Sequence, residues 1–110
     1  NFKIYKKYLN KKNFFFPDEK PHQFNTYHTF VIQVKNRKRL INFLKKKGIQ
    51  TAIHYPIPIH RQKAYINKFG NEYYFKTEKQ AKEILTLPIN QYLKKNEIKK
   101  ICKLINDFYE

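Results

Sequence analysis

The sequence predicts an α+β domain in which helices cover a small mixed or antiparallel sheet. Three observations carry that expectation. From Lys94 to the end, Ile98, Ile101, Cys102, Ile105, Phe108 and Tyr109 recur at helical spacing. Phe30, Ile32 and Val34 alternate with Thr29, Val31 and Gln33, which is the period of a strand. Gly48 stops a helical stretch and opens a β-branched run, so element types change along the 110 residues, a length suited to a single core.

In chain order, Phe2, Tyr5 and Leu9 share one helical face, and Asn10 to Asn13 stop that helix. Phe14-Phe15-Phe16-Pro17 reads as an extended apolar anchor before the polar turn Pro17-Asp18-Glu19-Lys20-Pro21. Tyr27 to Val34 forms a strand with apolar residues on both faces, which places it centrally in its sheet. Asn36 is a candidate cap for a helix that turns Leu40, Ile41 and Leu44 inward and ends at Gly48, with Lys45, Lys46 and Lys47 where the helix dipole favours cations.

Thr51 to Tyr55 predicts a second short strand, stopped because Pro56 has no amide hydrogen to give a ladder. Ala64 to Phe69 predicts one or two helical turns. Thr77 with Gln80 predicts a capping box for a short helix carrying Ala81, Ile84 and Leu85 on one side. Leu87-Pro88-Ile89 is a candidate edge strand. The closing helix then completes the order.

Composition narrows the functional classes. Apolar residues at 41% and aromatics at 17% suit a packed core rather than disorder. No apolar run has membrane-spanning length, and the first dozen residues lack the apolar block of a signal peptide; both point to a cytoplasmic protein with no membrane partner. Cys102 lies on the apolar stripe of the last helix and reads as a buried, inert thiol. The net charge of +16 raises a nucleic-acid alternative, a free-standing basic module binding a polyanion. Against it, 21 of the 24 basic residues are lysine, spread over every segment, whereas base-edge and bidentate phosphate recognition favours arginine.

The candidate site is the run from Gly48 to Tyr65. It places His54, Tyr55, His60 and Gln62 in one connection stiffened by Pro56 and Pro58. Fixed proline angles leave less freedom to lose when polar side chains engage a ligand, and they equally suit a rigid structural corner. The six-residue spacing of His54 and His60, with no carboxylate or thiol nearby, matches no metal-ligand pattern. The chain has no serine, and its only glycines are Gly48 and Gly70, which excludes a serine nucleophile and a Gly-rich phosphate loop. His28 reads as a structural hydrogen-bonding residue, and Tyr73-Tyr74-Phe75 as packing rather than a base-stacking platform.

This loop resembles the C-terminal segment of the DegT/DnrJ/EryC1/StrS family, the pyridoxal-phosphate-dependent sugar aminotransferases. The similarity runs from Tyr27-His28-Thr29-Phe30-Val31-Ile32-Gln33-Val34 through Arg37, Leu40, Leu44 and Gly48-Ile49 to His54-Tyr55-Pro56. It continues with Thr77-Glu78, Leu85-Thr86-Leu87-Pro88-Ile89 and the last helix. The resemblance implies amino transfer, usually from glutamate, to a nucleotide-linked keto sugar, in cell-surface polysaccharide or deoxysugar biosynthesis. Its fuller form, with Pro58 and Tyr65, looks most like members acting on 3-keto-6-deoxy sugars.

The resemblance also implies pyridoxal 5'-phosphate held as a Schiff base on a lysine whose sequence context is absent here, as is the aspartate that pairs with the pyridinium nitrogen. By it, His54 and Tyr55 match positions reaching toward the nucleotide-sugar, His60 and Gln62 belong to the same loop, and no residue here is catalytic or binds the cofactor. The absence of methionine and the helical start suggest a piece of a longer chain, inactive alone. Residues 1–13 would then be the end of a helix leaving a large domain, and 14–110 the small C-terminal domain of a homodimeric enzyme.

Overall fold

The computed structural model describes all 110 residues. Helix α1 (Phe2–Tyr8) leads into strand β1 (Phe14–Phe15), then β2 (Phe30–Val34) and α2 (Arg37–Lys46). A 3₁₀ turn (Ile59–Arg61), α3 (Lys63–Phe69), α4 (Phe75–Glu83), β3 (Ile84–Leu87) and α5 (Lys95–Tyr109) come next. The strands form one antiparallel sheet in the order β1-β2-β3, with β2 in the middle, as its two apolar faces require. The α+β class and the helix-covered antiparallel sheet stand as the sequence implies.

The register puts Phe14 opposite Val34, Phe30 opposite Leu87 and Ile32 opposite Leu85, so all six turn to one face. That face is buried with Leu40 and Leu44 of α2 and Ile98, Ile101, Cys102 and Ile105 of α5. Helix α5 packs against both α1 and α2. Tyr5 and Leu9 lie in the same core, so the first helix is built into it rather than standing beside it. Its loose end is closed by α5: Asn106 donates through Nδ2 to the Tyr8 carbonyl at 2.8 Å, and accepts from the Asn10 amide at 2.9 Å.

Several boundaries differ from the sequence reading. The strand expected at Thr51 to Tyr55 is a single bridge, Ala52 to Thr86, because Tyr55 takes φ 56° and turns the chain away. Helix α4 begins at Phe75, so Thr77 falls inside its first turn and makes no cap. The helix ends at Glu83, and Ile84 and Leu85 belong to β3 rather than to a helical face. That strand stops before Pro88, so the expected segment Leu87-Pro88-Ile89 contributes only its first residue.

The strand expected from Tyr27 starts at Phe30, after Tyr27 has turned with φ 51°. Asn36 occupies the N-cap position of α2 in the left-handed region, with no side-chain bond to the helix. Gly48 behaves as expected. At φ 77° its amide donates to Lys45 and the next amide, Ile49, reaches back to Leu44 at 2.9 Å. These two bonds cap α2 and launch the chain toward the candidate site.

Candidate functional site

After Gly48 the chain runs extended alongside β3. Ala52 and Thr86 exchange both backbone hydrogen bonds, at 3.1 and 2.8 Å, while Ile49 and Ile53 pack against the core. The next residue, His54, meets Thr86 again: its Nδ1 lies 2.8 Å from the threonine Oγ1. Thr86 is buried, and its hydroxyl hydrogen needs an acceptor. His54 Nδ1 is the acceptor in reach, which assigns the ring hydrogen of neutral His54 to Nε2. The imidazole is thereby fixed at one nitrogen and free to donate from the other.

Tyr55 is the pivot. A non-glycine residue in the left-handed region carries backbone strain, on the order of 1 kcal/mol. The ring it carries is 88% exposed. Pro56 and Pro58 stiffen the next stretch of chain, and Pro58 starts the 3₁₀ turn by accepting the Arg61 amide at 2.9 Å.

The turn sends its two basic side chains to one carboxylate. His60 is buried, with Nε2 2.8 Å from Glu78 Oε1, and its ring meets Tyr74 edge-on. Arg61 Nε donates to the same Glu78 oxygen. These two donors, Arg61 first and His60 second, hold the Glu78 carboxyl below its ordinary range. Gln62 is exposed and starts α3 through its backbone carbonyl, which accepts the Ile66 amide. Beyond it, Tyr65 and Tyr74 both donate to Glu72, at 2.6 and 2.8 Å, tying α3 to the segment before α4.

The four residues singled out in the sequence are therefore in one loop but not equivalent. Tyr55, His54 and Gln62 are exposed, whereas His60 faces inward and is engaged by Glu78. None of the four lines the cleft of about 850 Å³ on the outer face of the sheet, where Phe15, His28, Val31, Gln33 and Gln80 stand. Tyr55, His54 and Gln62 stand at the surface of a loop that also exposes the apolar side chains Ile57 and Ile59. Sequence reasoning missed Thr86 and Glu78, which hold the two ends of the loop. No spacing rule links them to their histidines, which lie 32 and 18 residues away.

A lysine that holds a cofactor as a Schiff base works from a desolvated position, yet no lysine of this chain is buried. Lys6 is paired with Asp18 and Lys99 lies over the Tyr8 ring. Within this portion, none of the lysines sits in the desolvated surroundings that role needs. Cys102 is sealed at 1% exposure and its thiol is pushed up to about 12 by burial, which leaves it inert.

A family model described as the DegT/DnrJ/EryC1/StrS aminotransferase family matches residues 1–106. A dTDP-3-amino-3,6-dideoxy-alpha-D-galactopyranose transaminase of Aneurinibacillus thermoaerophilus is 35% identical over 91 residues, 83% of this chain and 24% of the relative. A protein of Geobacillus stearothermophilus called pleiotropic regulatory protein is 33% identical over 94 residues, 84% of this chain and 25% of its own length. The chain thus spans about a quarter of the curated relatives it matches. Among solved structures, a DegT DnrJ EryC1 StrS aminotransferase from Brucella abortus superposes with a TM-score of 0.81 at 26% identity, covering 97% of this chain and 30% of that one.

Proposed function

The chain belongs to the DegT/DnrJ/EryC1/StrS aminotransferase family, and from that premise we propose that it is the small C-terminal domain of a cytoplasmic, pyridoxal-phosphate-dependent sugar aminotransferase. Residues 1–13 lead out of the large domain and 14–110 form the small one, whose core also takes in Tyr5 and Leu9 of the linking helix. The full protein moves an amino group, from glutamate, to a nucleotide-linked keto sugar. A 3-keto-6-deoxy sugar is the substrate class that the Aneurinibacillus relative's name supports. The cofactor and its lysine belong to the remainder of the protein, and this portion is inactive alone.

Substrate grip is this portion's contribution. The observation that carries the reading is Tyr55, a large aromatic held outward on a strained turn between two anchored loop ends. Its hydroxyl can donate to a phosphate or sugar oxygen. His54, held by Thr86 at Nδ1, directs an Nε2–H donor to the same substrate, and becomes a charge-assisted donor to phosphate when protonated. Gln62 offers an amide from the far end of the loop, and His60 supports the loop from inside. The exposed apolar side chains Ile57 and Ile59 of this loop suit burial against the large domain or the second subunit of a homodimer.

In the full-length enzyme, His54→Ala and Tyr55→Phe should each raise the Michaelis constant for the nucleotide-sugar about tenfold, the scale of one lost charge-assisted hydrogen bond. Cofactor absorbance should stay intact in both. Unchanged Michaelis constants in both variants would remove the assignment.

A further inference from the structure

The loop that carries Tyr55 is fastened at two places. Its entry is held by the paired backbone of Ala52 and Thr86 and by the His54–Thr86 bond. Its exit is held by Glu78, which takes hydrogen bonds from both His60 and Arg61. Only residues 55–59 lie between, and Pro56 and Pro58 have fixed φ. With both ends tied and the middle stiff, the direction of Tyr55 depends on where the exit anchor sits.

We propose that Glu78 is a positioning residue for nucleotide-sugar binding: by clasping His60 and Arg61 it fastens the loop to α4 and sets where Tyr55 stands. Glu78 touches no substrate itself. The proposal rests on the reading that Tyr55 contacts the nucleotide-sugar, and adds to it the residue that controls the geometry.

Two features single out Glu78 from the other salt-bridged carboxylates. Its side chain is only 14% exposed, whereas those of Asp18 and Asp107, which pair with lysines, are 73% and 45% exposed. Both its donors come from one short turn, so a single carboxylate organises two consecutive residues. An ionised carboxylate only accepts, so it requires the hydrogen of His60 to sit on Nε2. His60 is in turn held by the edge of Tyr74, whose hydroxyl is tied through Glu72 to Tyr65. The exit anchor is thus braced on α3 and α4 together.

The test uses Glu78→Gln and Tyr55→Phe in the full-length enzyme. Hydrogen exchange is measured at the Arg61 and Gln62 amides, which are bonded to the Pro58 and Ile59 carbonyls. Glu78→Gln should speed these about tenfold, with the β2 amides unchanged. It should raise the Michaelis constant for the nucleotide-sugar about tenfold, as misplacement of a binding group does, while the half-reaction with the amino donor keeps its rate.

Unchanged exchange at Arg61 and Gln62 overturns the proposal. So does faster exchange with an unaltered Michaelis constant, if Tyr55→Phe raises that constant. If neither variant alters it, the nucleotide-sugar reading itself falls and takes the proposal with it. Should Glu78→Gln fail to accumulate, Arg61→Ala removes one of the two clasps from a more exposed position and is read in the same way.

Discussion

Thr86 shows how much a single hydroxyl can decide. It lies on β3, is buried, and its oxygen meets His54 Nδ1. Thr86→Val keeps the shape and deletes the donor, so neutral His54 loses its preference for hydrogen on Nε2. The expected result is a mixed tautomer in the nitrogen NMR spectrum of His54, restored by Thr86→Ser, with a stability loss of about 1 kcal/mol for the valine variant. Cys102 gives a second check at this scale. Its sealed, raised-pKa thiol should react with a disulfide reagent at neutral pH only after the protein is unfolded.

At the scale of elements, α4 and the loop it clasps should part company in acid. The Glu78 carboxyl is depressed in the folded protein, chiefly by Arg61 and then by His60. Its stabilising contribution is therefore fully present above the ordinary glutamate range and is lost as pH falls through its lowered folded value. Acid unfolding monitored by circular dichroism should show wild type losing this margin below about pH 4.5, with a smaller pH dependence in Glu78→Gln.

The legibility of these elements in the sequence divides on physical grounds. Helix α5 and the alternation in β2 were readable because periodic burial is written in consecutive residues. Asn36 and Thr77 misled because the side chain of a capping residue works only with the right backbone, and Asn36 is left-handed while Thr77 is already inside its helix. The strand expected at Thr51 to Tyr55 shrank to one bridge because of a φ value that tyrosine rarely takes. The polar loop was visible as a cluster of side chains. Its anchors were not, since Thr86 and Glu78 reach their partners only through the tertiary fold.

Across the whole molecule, charge and core pull against each other. A net charge of +16 is carried on a body of 48 × 37 × 26 Å, with lysines on α1, α2 and α5 alike. At 0.01 M ionic strength the screening length is about 30 Å, comparable to the body itself, and at 0.15 M it is about 8 Å. Self-repulsion is therefore felt across the molecule at low salt only. Thermal unfolding of the chain should move up by several degrees between these two salt concentrations, and a melting temperature that stays flat would mean the charges are already compensated. The core that resists this repulsion is continuous from α1 to α5, so truncating Leu44 or Ile98 to alanine should cost about 2–5 kcal/mol in denaturant titrations.

The left-handed turn at Tyr55 sets two selection pressures against each other. Asparagine tolerates that backbone angle better than an aromatic residue does, so a library sorted for heat resistance alone should drift toward Tyr55→Asn and relax the corner. A library sorted for turnover should keep the tyrosine and bear the local cost. Where the two sorts disagree at one position, thermostabilising this protein by heat challenge alone would quietly discard the side chain proposed to meet the substrate.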